Sequence, residues 1–219
     1  MNYFYGLLFL GLVISARPAH AQQQKSLLFG EHAQPGTYTL VDDRHKVYHG
    51  ALKVYAHELV AKDQAGHTTK YPPEEVYRVQ LGRVRYITAS GFQTKSGFWS
   101  TTQSEKSFVE LLDSGQVTLC RFHYSVGGPS YSSTNLVTYM LLDAATDSVT
   151  TIPVSVYTGK GKRFRNALAP FVAQRADLQA LLQAGSVTID QLPAFVHALN
   201  YHLPFSAAAG IATKPFGVD

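Results

Sequence analysis

The spacing of apolar residues changes once along this chain, near Lys160, and that change constrains the fold more than any other feature. Between Gly36 and Ile152 the apolar residues come in short alternating runs. Thr37-Tyr38-Thr39-Leu40-Val41, Tyr77-Arg78-Val79-Gln80-Leu81 and Arg83-Val84-Arg85-Tyr86-Ile87 are examples. A period of two sends successive side chains to opposite faces of a strand. Beyond Lys160, Phe164, Leu168, Phe171 and Val172 recur at the spacing of one helical face. Strands first and helices last predict an α+β fold. We expect an antiparallel β-rich region over residues 36–155, a small C-terminal helical segment over 160–203 and a tail over 204–219.

Turn chemistry divides the β-rich part. Asp42-Asp43-Arg44-His45 reads as a turn, and Val47 to Tyr55 as a strand with Gly50 marking a bulge or a close backbone approach. Asp63-Gln64-Ala65-Gly66 reads as a hairpin turn in which Gly66 supplies a positive φ. Tyr71-Pro72-Pro73-Glu74-Glu75-Val76 could start one helical turn, since proline and acids suit a helix N-terminus. Period two puts Tyr77, Val79 and Leu81 on one face and Arg78 and Gln80 on the other. Arg78, Arg83 and Arg85 could form a basic stripe; solvated outer-face residues are the simpler account. Ser107 to Tyr124 fits a helix ending at Gly115 or a hairpin turning at Asp113-Ser114-Gly115-Gln116. The hairpin is preferred, because the second half is plainly a strand. Leu136–Leu142 and Ser148–Ile152 read as a further strand pair.

In the helical part Pro170 must kink the first segment. Leu178, Leu181 and Leu182 mark a second helix, stopped by Gly185. Leu192, Phe195, Val196 and Leu199 mark a third. Thr188 and Gln191 have capping-box spacing, but Asp190 is preferred as N-cap because it places Pro193 in the first turn.

The first 21 residues predict an address. Phe4 to Ile14 is an apolar run of signal-peptide length, short for a bilayer span. Ala19-His20-Ala21 follows, with small residues where a signal peptidase requires them, so cleavage is expected between Ala21 and Gln22. Residues 22–35 read as a leader. Met1-Asn2-Tyr3 lacks the usual basic residue, yet the short run and the cleavage site favour removal over a retained anchor. The expected location is periplasmic or secreted, with no stable membrane span after cleavage.

Composition narrows the function classes. A content of 45% hydrophobic and 16% charged residues describes a globular chain. The net charge of +4 is mild, and no run of Lys or Arg exceeds two, so nucleic acid is not an expected partner. The single cysteine, Cys120, cannot form an internal disulfide. In the run Val117 to Phe122 it reads as a small buried hydrophobe, with intermolecular pairing as the alternative.

Catalytic and metal signatures give little. His45 and His49 are four apart, but in a turn and a strand rather than on one helix face, so no metal is implied. There is no G-x-S-x-G, and Gly159-Lys160-Gly161-Lys162 lacks phosphate-loop spacing. Paired carboxylates could be drawn from Glu74, Glu75, Glu110 or Asp113, although Glu74-Glu75 suits helix-start electrostatics. No cofactor is implied. Residues 90–104 form a Gly/Ser/Thr loop carrying Phe92, Phe98 and Trp99, which either lid a core or form an exposed recognition patch.

Taken in order, several short motifs form a series. Gly36-Thr37-Tyr38-Thr39-Leu40 leads to Gly50-Ala51-Leu52. Tyr71-Pro72-Pro73-Glu74-Glu75-Val76, the strand ending in Tyr86, Ser107-Phe108-Val109-Glu110-Leu111-Leu112 and Gly115-Gln116-Val117-Thr118-Leu119 follow. Phe164, the leucines near Leu178 and Asn200-Tyr201 close it. The series resembles a group of exported Bacteroidota proteins of unknown function, over roughly residues 36–203. Cys120 departs from the group's usual aromatic after the Leu of the second strand of that hairpin. The resemblance implies export and a β-then-α layout, and carries over no catalytic residue. The expected function is a non-catalytic binding or cell-envelope-associated module with an envelope or extracellular partner. The alternative is a hydrolase acting on envelope or extracellular glycans or peptides.

Overall fold

The computed structural model describes residues 32–96, 100–127, 133–146, 148–153 and 161–207. Among these, twelve strands precede three short α-helices: an α+β fold, mostly antiparallel sheet. The strands are β1 Gln34–Leu40, β2 Tyr48–Val54, β3 Leu59–Lys62, β4 Thr68–Tyr71, β5 Val76–Leu81 and β6 Val84–Ala89. They continue with β7 Gln93–Lys95, β8 Thr101–Gln103, β9 Ser107–Asp113, β10 Val117–Gly127, β11 Ser133–Asp143 and β12 Ser148–Ile152. The helices are α1 Lys162–Leu168, α2 Ala176–Gln183 and α3 Leu192–Asn200. No helix among the described residues is long and apolar enough to cross a membrane.

Ten strands form one sheet in the order β12-β11-β10-β9-β6-β5-β1-β2-β3-β4, and β7 with β8 makes a separate ribbon. Cross-strand pairing aligns Tyr48, Tyr38, Val79, Tyr86, Glu110, Arg121, Tyr139 and Ile152 in one row on one face. His49, Thr37, Gln80, Arg85, Leu111, Cys120, Met140 and Thr151 form the neighbouring row on the other. The sheet curls strongly. Phe108 N–H on β9 donates to the Ala56 carbonyl just past β2 at 2.8 Å. In a flat sheet those strands would lie four spacings apart, about 19 Å.

Curling creates the first core, in which Leu52, Val54, Leu59, Val76, Tyr86 and Phe108 are buried. The second core lies where α1 to α3 cover the far end of the sheet. There Leu119, Leu141 and Ile152 meet Phe164, Leu178 and Phe195. Gly50 is a close backbone approach: a Cβ there would lie 2.6 Å from the Lys62 carbonyl oxygen on β3. The preferred hairpin for Ser107 to Tyr124 is β9–β10.

Three local expectations change. Thr39 pairs with Arg78 and Leu40 with Val76, so Tyr77 is the extra residue of a bulge. Tyr77 therefore leaves the face of Val79 and Leu81 and is 43% exposed, with the Arg44 guanidinium 4.5 Å above its ring. Tyr71 to Val76 holds a tight turn, Glu75 N–H to Pro72 C=O at 3.1 Å, rather than a helical start. Before α3, a 3-10 turn over Ile189–Gln191 has Thr188 as its N-cap, and Gln191, not Asp190, is the N-cap of α3. The Gln191 Oε1 accepts from Thr188 N–H at 3.0 Å, as a capping box requires, and Pro193 still falls in the first turn of α3, as expected. At Pro170, α1 gives way to a 3-10 turn over Ala169–Val172, as the missing donor requires. β1 begins at Gln34, inside the stretch read as leader.

Candidate functional site

The aromatic residues of the 90–104 segment divide. Phe92 follows β6 and is fully buried, with its ring centroid 5.0 Å from that of Phe122. It belongs to the core, not to a surface patch. Phe98 and Trp99 lie outside the described residues, as do Ala19, Ala21 and Gln22. The β7–β8 ribbon is fastened over one half of a sheet face. Gln93 N–H donates to Thr151 Oγ1 at 2.8 Å, and Lys95 N–H to the Tyr124 hydroxyl at 3.0 Å.

Three polar constellations join residues distant in sequence. The first pairs His57 with Ser107. Ser107 Oγ lies 3.3 Å from His57 Nδ1. That hydroxyl donates to the Glu105 carbonyl at 3.0 Å, and His57 Nδ1 also faces the Lys106 carbonyl at 3.4 Å. A carbonyl only accepts, so Nδ1 serves the Lys106 carbonyl only in the tautomer that carries its proton there. Ser107 is itself fully buried. The contacts fasten the start of β9 to the segment that follows β2.

The second constellation sits on the inner face. Arg121 grips Glu110 at 2.8 and 2.9 Å, and His123 Nε2 lies 3.6 Å from the same carboxylate. Burial pushes the Glu110 carboxyl up, but the His123 hydrogen bond and the Arg121 charge outweigh it and hold it below its ordinary value. Burial and that carboxylate push the neighbouring Cys120 thiol up to about 12.

The third joins α3 to the β9–β10 turn. His197 Nδ1 lies 2.7 Å from Asp113 Oδ2, and Asn200 Nδ2 donates to Asp113 Oδ1 at 2.8 Å. Asn200 also bonds both backbone groups of Val117, at 3.0 and 2.9 Å. The His197 side chain is 41% exposed beside an Asp113 that is 5% exposed. A buried carboxylate thus orients a half-exposed imidazole, the relation found in acid–base pairs.

Of the four carboxylates considered for paired chemistry, Glu110 and Asp113 each have their own partners and do not act together. Glu74 and Glu75 are exposed in the turn before β5. His45 and His49 are exposed, and no group of three metal-ligating side chains converges among the described residues.

Sequence reasoning passed over a hollow of about 310 Å³ on the half of the outer face that the β7–β8 ribbon leaves open. Its lining includes Thr39, Val47, Arg78, Arg85, Ile87 and Leu111. Thr39 stands directly beside Arg78 in the β1–β5 pairing, while Arg85 stands beside Gln80 on β5 and Leu111 on β9. Both arginines are exposed. No hydrogen bond or ion pair satisfies either one among the described residues, and no carboxylate is in the lining. Thr39 is 1% exposed, and its Oγ1 has no hydrogen-bond partner there. The alternation of Arg78, Arg83 and Arg85 was the available signal. It could not show that Arg83 falls outside the lining or that a buried hydroxyl lies beside the other two. Comparisons with family models, with curated proteins and with solved structures return no match to this chain.

Proposed function

We propose that this chain is an exported, non-catalytic binding or envelope-associated module whose site is the hollow between Arg78 and Arg85. The observation that carries the reading is a concavity on an antiparallel sheet that joins two exposed arginines to an unpaired buried hydroxyl. Its volume is near the lower end of the roughly 300–1,000 Å³ usual for small-ligand sites. The site presents donors and apolar side chains and no nucleophile–base pair, a composition suited to holding a ligand. Export rests on the first 21 residues. N-terminal sequencing of protein recovered from outside the cytoplasm should begin at Gln22. The binding reading is tested by equilibrium dialysis of the purified protein against envelope glycans and peptides, with mass spectrometry of what is retained. Retained ligands recovered intact support it; cleaved ligands overturn it.

One observation favours the second reading, a hydrolase acting on glycans or peptides. Asp113 orients His197 with much of the imidazole in solvent, so the far ring nitrogen could take a proton from water. Turnover of any panel substrate that His197→Ala abolishes while folding persists would establish it.

A further inference from the structure

We propose that the hollow beside Thr39 is an oxyanion site, taking a small ligand with one carboxylate or phosphate group attached to a short apolar body. This rests on the binding reading above and names its ligand class.

The charge argument comes first. Arg78 and Arg85 lie on the same face of adjacent antiparallel strands, Arg78 two residues along β5 from Gln80, the partner of Arg85. Such diagonal neighbours have their Cα atoms about 7–8 Å apart, within reach of long side chains. Two positive side chains on such neighbouring positions repel each other, and no carboxylate in the lining neutralises them. An oxyanion would, and the planar fork of each arginine matches carboxylate or phosphate oxygens.

The second argument is independent of charge. Thr39 is buried with its hydroxyl unpaired, and an unpaired buried hydroxyl destabilises the free protein. Valine has nearly the same shape without that cost. The hydroxyl is closed to solvent in the ligand-free fold, so a ligand oxygen reaches it only when the side chains over it shift. An oxygen that then accepts from Thr39 Oγ1 accounts for a hydroxyl at this position, and an acceptor is what an oxyanion supplies. A cationic or purely donating ligand would leave all three groups unsatisfied.

The third argument concerns the rest of the ligand. Val47, Ile87 and Leu111 provide apolar wall, and Val47 is 45% exposed. A ligand with a short hydrocarbon portion buries that wall; a bare inorganic ion does not.

Isothermal titration calorimetry separates these possibilities. The probes are hexanoate, hexyl phosphate, inorganic phosphate and, as the neutral isostere, hexanamide. Hexanoate or hexyl phosphate should bind, whichever binds tighter identifying the headgroup. Inorganic phosphate and hexanamide should each bind at least about tenfold more weakly, one lacking the apolar body and the other the charge. Arg78→Gln and Arg85→Gln should each weaken binding about tenfold, while Arg83→Gln, outside the lining, should leave it unchanged. Thr39→Val should weaken binding similarly and raise the thermal midpoint of the ligand-free protein. Equal affinity for hexanamide, or insensitivity to both lining arginines, overturns the proposal. So does the absence of anion binding by a protein that still retains a neutral ligand intact, a result that leaves the binding reading standing. Chemical alteration of a bound ligand would instead sink the binding reading.

Discussion

His197 Nδ1 and Asp113 Oδ2 lie 2.7 Å apart although 84 positions separate the two residues. Together with Asn200 they make the polar joint between the helical segment and the sheet. Asn200→Ala removes partners from Asp113 and from both backbone groups of Val117. Each buried group left unpaired costs about 1–3 kcal/mol, so the variant should lose about 2–4 kcal/mol in urea unfolding. His197→Ala should lose less, about 1 kcal/mol, since water reaches the half-exposed site and Asn200 still holds Asp113. A larger loss in His197→Ala than in Asn200→Ala would show that the imidazole, not the amide, secures α3.

Glu110 and Arg121 make a second test, because Glu110 is buried and bonded to a largely covered Arg121. Removing Arg121 leaves the buried Glu110 carboxylate with His123 alone, so Arg121→Met should cost up to about 3–5 kcal/mol. The double change Glu110→Leu with Arg121→Met should cost much less, because no unpaired charge remains. The pH dependence has a definite sign. The folded carboxyl titrates below its ordinary value of 4.5. Its stabilisation is therefore complete above that value and fades as pH falls through the folded one. Unfolding midpoints of the native chain should drop across that acidic window, and Glu110→Gln should remove that part of the drop.

The two periodicities made the layout legible, since alternation and helical spacing report which faces are buried. What stayed hidden came from register and distance. Tyr77 reads as core by alternation, yet one extra residue opposite β1 turns it outward. The two signals before α3 read as competing, yet both are realised, because a 3-10 turn precedes the helix: Thr188 and Gln191 cap that turn, and Pro193 sits in the first turn of α3. Asp113, His197 and Asn200 have no local spacing that would announce their meeting, because the curl of the sheet and the docking of α3 create it. The hollow was half legible. Alternation put Arg78 and Arg85 on one face, but only the curled sheet shows Thr39 buried and unpaired beside them.

Cys120 is fully buried, and burial and the Glu110 charge push its thiol up to about 12. Intermolecular disulfide pairing is therefore closed to the folded chain, in favour of the packing role. A thiol reagent at neutral pH should label no Cys120 in the native protein and one thiol per chain in denaturant. Cys120→Ser should destabilise by about 1–3 kcal/mol, since it places a hydroxyl among Leu111, Met140 and Phe122 without a guaranteed partner. Native-state labelling at the denatured rate would show that this part of the sheet opens readily.

Gly115, in the β9–β10 turn, links the turn to the joint at α3. A Cβ there would lie 2.7 Å from Cβ and Cγ of Asn200 and 2.9 Å from its Oδ1. Asn200 cannot move aside without giving up its bonds to Asp113 and Val117, so Gly115→Ala should cost about 1–3 kcal/mol by overpacking. Gly127→Ala is the control, since nothing among the described residues lies within 4 Å of its added Cβ, and it should stay within about 0.5 kcal/mol of the native chain. In an Asn200→Ala background the Cγ and Oδ1 contacts vanish while the Cβ contact remains. The Gly115→Ala penalty should then shrink without disappearing, a non-additivity that contact between the two sites requires. Full additivity in urea denaturation would show that the turn shifts away from α3 and that Gly115 is not constrained by it.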